Sequence, residues 1–294
     1  MTAPAPKFHE HRTGVFWDRL RASAVGTYRA NGFGVAKGAA YSGLLSFFPI
    51  LTTVAALLVQ ARASDVARTV TEFLYEVVPP GSEDVVRTLF VVHGTRPTWL
   101  LVVAILLSAW AASGAMMSLL EGFRSIYKIP SGRSFLRERG IAISLVFLVM
   151  IPMWAASTMI VAGTHGERTV MSWVRLIPQG AELRGWVTVA GIALRYTTAL
   201  GAVVLALALI YYVGPNRPQS FRRVLPGAAL STALWLLATT GFGWYVRHIA
   251  QYNVLYGSVG AGLALLVWIY LLAVITLYGC AFNAARESEL EARH

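Results

Sequence analysis

From Tyr252 to Asn283 the chain runs thirty-two residues, YNVLYGSVGAGLALLVWIYLLAVITLYGCAFN, without one Asp, Glu, Lys or Arg. Roughly 20 apolar residues of helix suffice to cross a hydrocarbon core about 30 Å thick. From Val259 onward nearly every side chain here is apolar. A backbone in hydrocarbon must satisfy its own N–H and C=O groups, so this stretch reads as a membrane-spanning helix. The rest of the chain must then fold around it. Its entrance differs from its middle: Tyr252, Asn253, Tyr256 and Ser258 place two phenols, an amide and a hydroxyl at the mouth of the span. Such groups need partners.

Five further charge-poor stretches are long enough to cross: Gly38 to Gln60, Trp99 to Leu120, Ile141 to Ala162, Trp186 to Val213 and Val224 to Val246. With 56% hydrophobic and 13% charged residues, the composition is that of a polytopic membrane protein. The expected fold is all-α, with six transmembrane helices in one membrane domain over residues 14–287, flanked by tails at 1–13 and 288–294. Between about Gly14 and Ala30, Phe16, Trp17, Leu20, Ala24 and Tyr28 recur at helical spacing beside Arg19, Arg21 and Arg29, which predicts an interfacial helix. Residues 61–97 read as two short amphipathic helices around Pro79-Pro80-Gly81, an external hairpin between spans one and two. Pro49 removes a backbone donor inside span one and predicts a kink near Ser46. Pro226 is expected in the first turn of span five, where a proline is tolerated.

A net charge of +11 is compatible with nucleic-acid binding, but its distribution decides otherwise. Six spans place residues 1–37, 121–140, 214–223 and 284–294 on one side with net +9, against net +1 for 61–97, 163–185 and Arg247 on the other. The positive-inside rule makes the first side cytoplasmic, with both termini there, and no nucleic-acid partner is needed to explain the charge. The N-terminal stretch has neither an apolar core nor a small-residue cleavage pattern, so no removable signal peptide is expected.

Small residues four apart recur as Gly38, Ser42 and Ser46, as Ala104, Ser108 and Ala112, as Gly114 and Ser118, and as Gly227 and Ser231. Such rows let helices approach closely in lipid. A functional alternative gathers Tyr41, Ser42, Ser46, Pro49, Ser113, Tyr252, Asn253, Tyr256 and Asn283 around a polar cavity between spans one, two and six. Arg195, the one charge in span four, either snorkels to the outer boundary or contacts an anion. Six scattered histidines and the single Cys280 make no metal cluster, and there is no HExxH, GxSxG or P-loop. The chain is expected to be no enzyme and to hold no cofactor or metal.

The blocks AAYSGLLSFFPIL at 39–51, LSAWAASGAMMSLLEGFRSIYKI at 107–129, YYVGPNRPQSFRRVLPGA at 211–228 and YNVLYGSVGAGLALLVWIYL at 252–271, with Asn283 beyond, occur in that order. In this the chain resembles the YihY/BrkB family of bacterial inner-membrane proteins, over about residues 15–287. The resemblance implies a six-span protein of the cytoplasmic membrane whose activity is poorly established, once labelled ribonuclease BN. It carries over no catalytic residue, although Tyr41, Pro49, Asn216, Pro226, Tyr252, Asn253, Tyr256, Gly257 and Asn283 fall at matching places. The function expected is transport or handling of a small or amphipathic solute or lipid, with membrane lipids as partners. A structural role in the cell envelope is the alternative, and RNA hydrolysis ranks last.

Overall fold

The computed structural model describes residues 12–60, 98–130, 133–173, 181–248 and 257–291. They form seven helices: α1 (Arg12–Arg29), α2 (Gly32–Gln60), α3 (Thr98–Ile126), α4 (Phe135–Trp173), α5 (Ala181–Val213), α6 (Phe221–His248) and α7 (Gly257–Glu291). Among the described residues there is no strand, and five helices are long and apolar enough to cross a membrane, over Val102–Ile126, Phe135–Ala156, Val189–Val213, Phe221–Val246 and Gly262–Glu291. The span expected from Gly38 falls within α2, which continues through Pro49. The external hairpin expected at 61–97 lies outside the described residues.

Helices α2 to α7 close into a ring in the order α2, α3, α4, α5, α6, α7, each touching the next, with α7 returning to α2 and α1 lying against α7. Neighbours approach where a side chain is missing. A Cβ on Gly122 of α3 would press on Leu277 and Val35, and one on Gly43 of α2 would stand 3.0 Å from Ile269. The core assembles at the end carrying the basic loops: Leu120, Phe123, Leu145, Leu207, Tyr211, Val224, Leu277 and Cys280 are all at most 1% exposed. Phe123 meets Tyr211 edge to face at 5.7 Å, a favoured aromatic geometry.

Several helices outrun the apolar stretches that predicted them. α4 continues to Trp173 and α7 to Glu291, because charged residues are good helix formers once the chain has left hydrocarbon. α1 turns its small polar face inward. Ser23 and Thr27 are buried, their hydroxyls donating to Arg19 O and Ser23 O, while Trp17, Val25 and Tyr28 are exposed. Tyr278 of α7 donates to Leu20 O, and Arg19 pairs with Glu289 at 2.8 Å, fixing α1 along α7. Asn31, at φ 54°, turns the chain from α1 into α2 in the left-handed region that asparagine tolerates. Lys128, at φ 53°, does the same after α3.

Candidate functional site

Pro226 corrects one expectation. α6 starts at Phe221, so the proline lies inside the helix and not in its first turn. A proline there leaves the helical ladder incomplete. α7 docks beside the proline: Asn283 accepts from Gly227 N–H at 2.8 Å and donates its amide to Val224 O at 3.0 Å. Gly227 has no room for a side chain, since a Cβ would collide with Gly279 O and the Asn283 amide. Four residues before Asn283, Gly279 lets α7 approach Ser231, Tyr211 and the Gly227 carbonyl.

Above this contact the polar groups cross from helix to helix. The Tyr211 hydroxyl donates to Thr276 O at 2.7 Å and pairs with Ser231 Oγ at 2.8 Å. Trp235 Nε1 donates to Leu272 O at 3.0 Å. Four residues beyond Asn283, Glu287 receives Arg217 at 2.6 Å and Arg223 at 3.1 Å. Arg217 lies 4.5 Å over the Tyr127 ring, so the same cation ties the end of α3 into the group. Burial pushes the Tyr127 phenol well above its ordinary pKa, with Arg217 working against it. Arg133 donates to the carbonyls of Gly214 and Val213 at the end of α5, where an unsatisfied helix terminus favours a cation. Arg124 meets Glu138 at 3.1 Å and joins α3 to α4. The result is a clasp across the basic end of the ring.

Of the residues proposed for a polar cavity, Tyr41, Ser42, Ser46 and Pro49 lie on α2, Ser113 on α3 and Asn283 on α7. Ser42 packs on Gly114 and Gly38 on Ser118, where α2 meets α3. Ser46 is buried and donates to Gly43 O at 2.8 Å, and Ser113 is buried and donates to Trp110 O at 2.7 Å. Pro49 offers its carbonyl to Thr53 at 2.9 Å. Tyr41 is 60% exposed on the outer face of α2. Asn283 lies in the α6–α7 contact. Arg195 is half-buried on α5. Tyr252, Asn253 and Tyr256 lie outside the described residues. Tyr211, Arg217 and Glu287 were not singled out from the sequence as site residues. The signal for them was present as Gly279, Asn283 and Glu287, a row at intervals of four on one face of the last helix.

A family model described as virulence factor BrkB matches residues 25–294. The chain belongs to the BrkB family. Among its relatives is a Bacillus subtilis protein named ribonuclease-like protein YfkH, 28% identical over 83% of this chain and 86% of that protein. A UPF0761 membrane protein of Alkalilimnicola ehrlichii is 27% identical over 86% of this chain and 55% of that protein. Another from Tolumonas auensis is 25% identical over 83% of this chain and 77% of its own length. This BrkB-family chain therefore spans most of some relatives and about half of others. No solved structure matches it. The names of the UPF0761 relatives and the apolar helices agree that this is a multi-pass membrane protein.

Proposed function

We propose that the chain is a six-span protein of the bacterial cytoplasmic membrane, with both termini cytoplasmic, that transports or handles a small or amphipathic solute or lipid. α2 supplies the sixth span, and α1 lies at the cytoplasmic interface. The reading rests on one observation, the polar clasp that closes the basic end of the ring. At the clasped end the large side chains are buried. Farther along, Val102, Val103, Leu106 and Leu107 of α3 and Val189, Ile192, Leu194 and Tyr196 of α5 are exposed, as apolar side chains that face lipid are. A bundle closed by polar exchange at one end suits a protein that receives a solute from the other, as alternating-access carriers do. The clasp would be the closed gate.

A structural role in the envelope is the second reading, favoured by how fully the buried polar groups of the clasp satisfy one another. Hydrolysis, suggested by the Bacillus relative's name, has less support. Among the described residues no three His, Cys, Asp or Glu side chains gather as metal ligands. Purified protein decides between the first two. Handling predicts a rise in melting temperature with a subset of a solute and lipid panel. Scaffolding predicts no such rise and a stable copurifying protein. The topology is tested with single cysteines at Ser82 and Gln219 in a Cys280→Ala background, treated with an impermeant maleimide in outer-permeabilised cells. Label on Gln219 without label on Ser82 would overturn it.

A further inference from the structure

The clasp leaves one arginine out. Arg139 stands in the second turn of α4, next to Glu138, whose carboxylate is already engaged by Arg124. Its guanidinium lies 4.1 Å from the centre of the Trp110 ring on α3 and donates to Trp110 O at 2.9 Å. That carbonyl also accepts from Ser113 and carries no charge to offer. Arg139 Nε is shielded and has no hydrogen-bond partner, and among the described residues the side chain has no ion pair.

Arg139 is the fifth residue of the apolar window Phe135–Ala156, near its basic end, and its guanidinium reaches across to Trp110 in the window Val102–Ile126. A cation in hydrocarbon is costly, and an aromatic face attracts it without neutralising it. The nearby surfaces are apolar. Val103, Leu106 and Leu107 of α3 are exposed, and on α4 Phe147, Met150, Ile151, Trp154 and Ala155 line an open groove of about 440 Å³.

We propose that Arg139 and the face of α4 beyond it bind an anionic phospholipid, its phosphate on the guanidinium and an acyl chain along the groove from Phe147 to Trp154. Charge selects this occupant. A cation without a counter-ion requires an anion, the groove requires a chain, and an anionic lipid supplies both in one molecule. Free phosphate would gain nothing from the groove, and an apolar protein helix would leave the cation unmatched. The site rests on α3 and α4 spanning the bilayer and not on transport.

Native mass spectrometry of the detergent-purified chain, titrated with phosphatidylglycerol and with phosphatidylcholine, tests it. Wild type should bind phosphatidylglycerol about tenfold more tightly, the size of one charge-assisted hydrogen bond. Arg139→Gln should lose the preference, while Arg137→Gln, on the same helix and exposed, should keep it. Three results would overturn the site: no preference in wild type, a preference surviving in Arg139→Gln, or glycerol 3-phosphate competing as well as the lipid. A lipid-free dimer that Trp154→Glu dissociates would make the groove a protein interface and also overturn it. If Arg139→Gln does not fold, tryptophan quenching by brominated acyl chains decides. The quenching lost in Trp110→Phe should be larger for phosphatidylglycerol than for phosphatidylcholine, and equal losses defeat the proposal.

Discussion

Two helix contacts in this ring are written in the same alphabet and behave differently. Where α2 meets α3, Gly38 faces Ser118 and Ser42 faces Gly114. Where α6 meets α7, Gly227 faces Gly279, with Ser231 one turn on. Both are rows of small residues four apart. In the first contact most hydroxyls turn back on their own helix: Ser46 to Gly43 O, Ser108 to Ala104 O, Ser118 to Gly114 O. One hydroxyl pair crosses, Thr53 with Ser108 at 2.7 Å. In the second, Thr232 and Thr276 also turn back on their own helices, but Asn283 and Ser231 bond across and Tyr211 of α5 joins them. A small-residue row therefore brings helices together, and what they exchange depends on the polar groups beside it.

Gly279→Ala should do the most damage. Its new methyl would overlap Ser231 Oγ and stand 2.7 Å from the Tyr211 hydroxyl and 2.8 Å from Gly227 O. Two of those neighbours are side chains and one is backbone. The loss should reach about 3 kcal/mol, at the upper end for overpacking, read as the drop in melting temperature in detergent. Adding Ser231→Ala should return only part of it, since the Gly227 carbonyl cannot move aside. Full recovery would mean that the two backbones are not in contact.

Asn283→Leu comes next. It leaves Gly227 N–H and Val224 O without their partner in a buried contact, at a cost of about 2 to 3 kcal/mol. The same change made with Pro226→Ala tests whether the asparagine and the proline act together. If the asparagine completes a ladder that the proline breaks, the double variant should lose less than the sum of the singles. Strict additivity would separate the two residues. Glu287→Gln should cost less, about 1 kcal/mol, because both of its partners keep access to water, Arg223 at 59% and Arg217 at 26% exposure. That loss should shrink further as salt is raised, which the hydrogen bonds of Asn283 should not do.

The sequence made the spans legible because hydrocarbon imposes one signal on all of them, an unbroken apolar run. It marked Asn283 because an amide at the end of such a run is expensive without partners. It could not name those partners. Gly227 lies fifty-six residues earlier, and only the ring order brings α6 against α7. Asn283 bonds across to α6, while Ser42, Ser46 and Ser113 lie on α2 and α3. Tyr211 was hidden for the opposite reason, standing in an apolar run where a phenol resembles another core aromatic. Arg139 reads in the sequence only as loop charge, because nothing local shows that α4 starts as early as Phe135 and lays it on Trp110.

The smallest effect should come from the α2–α3 contact, and its sign is informative. In Gly38→Ala the added methyl would meet Ser118 Oγ at 3.3 Å and its Cβ at 3.9 Å, a tight approach to a side chain that can turn. Against that crowding stands the gain in helix propensity, up to about 1 kcal/mol when alanine replaces glycine. Gly241→Ala measures the gain alone, since a methyl added there on α6 would meet nothing within 4 Å. Gly241→Ala should raise the melting temperature, and Gly38→Ala should fall below it yet remain near wild type. If Gly38→Ala instead matches the loss of Gly279→Ala, the two contacts are equally rigid, and the distinction between a seam held by shape and one held by polar exchange disappears.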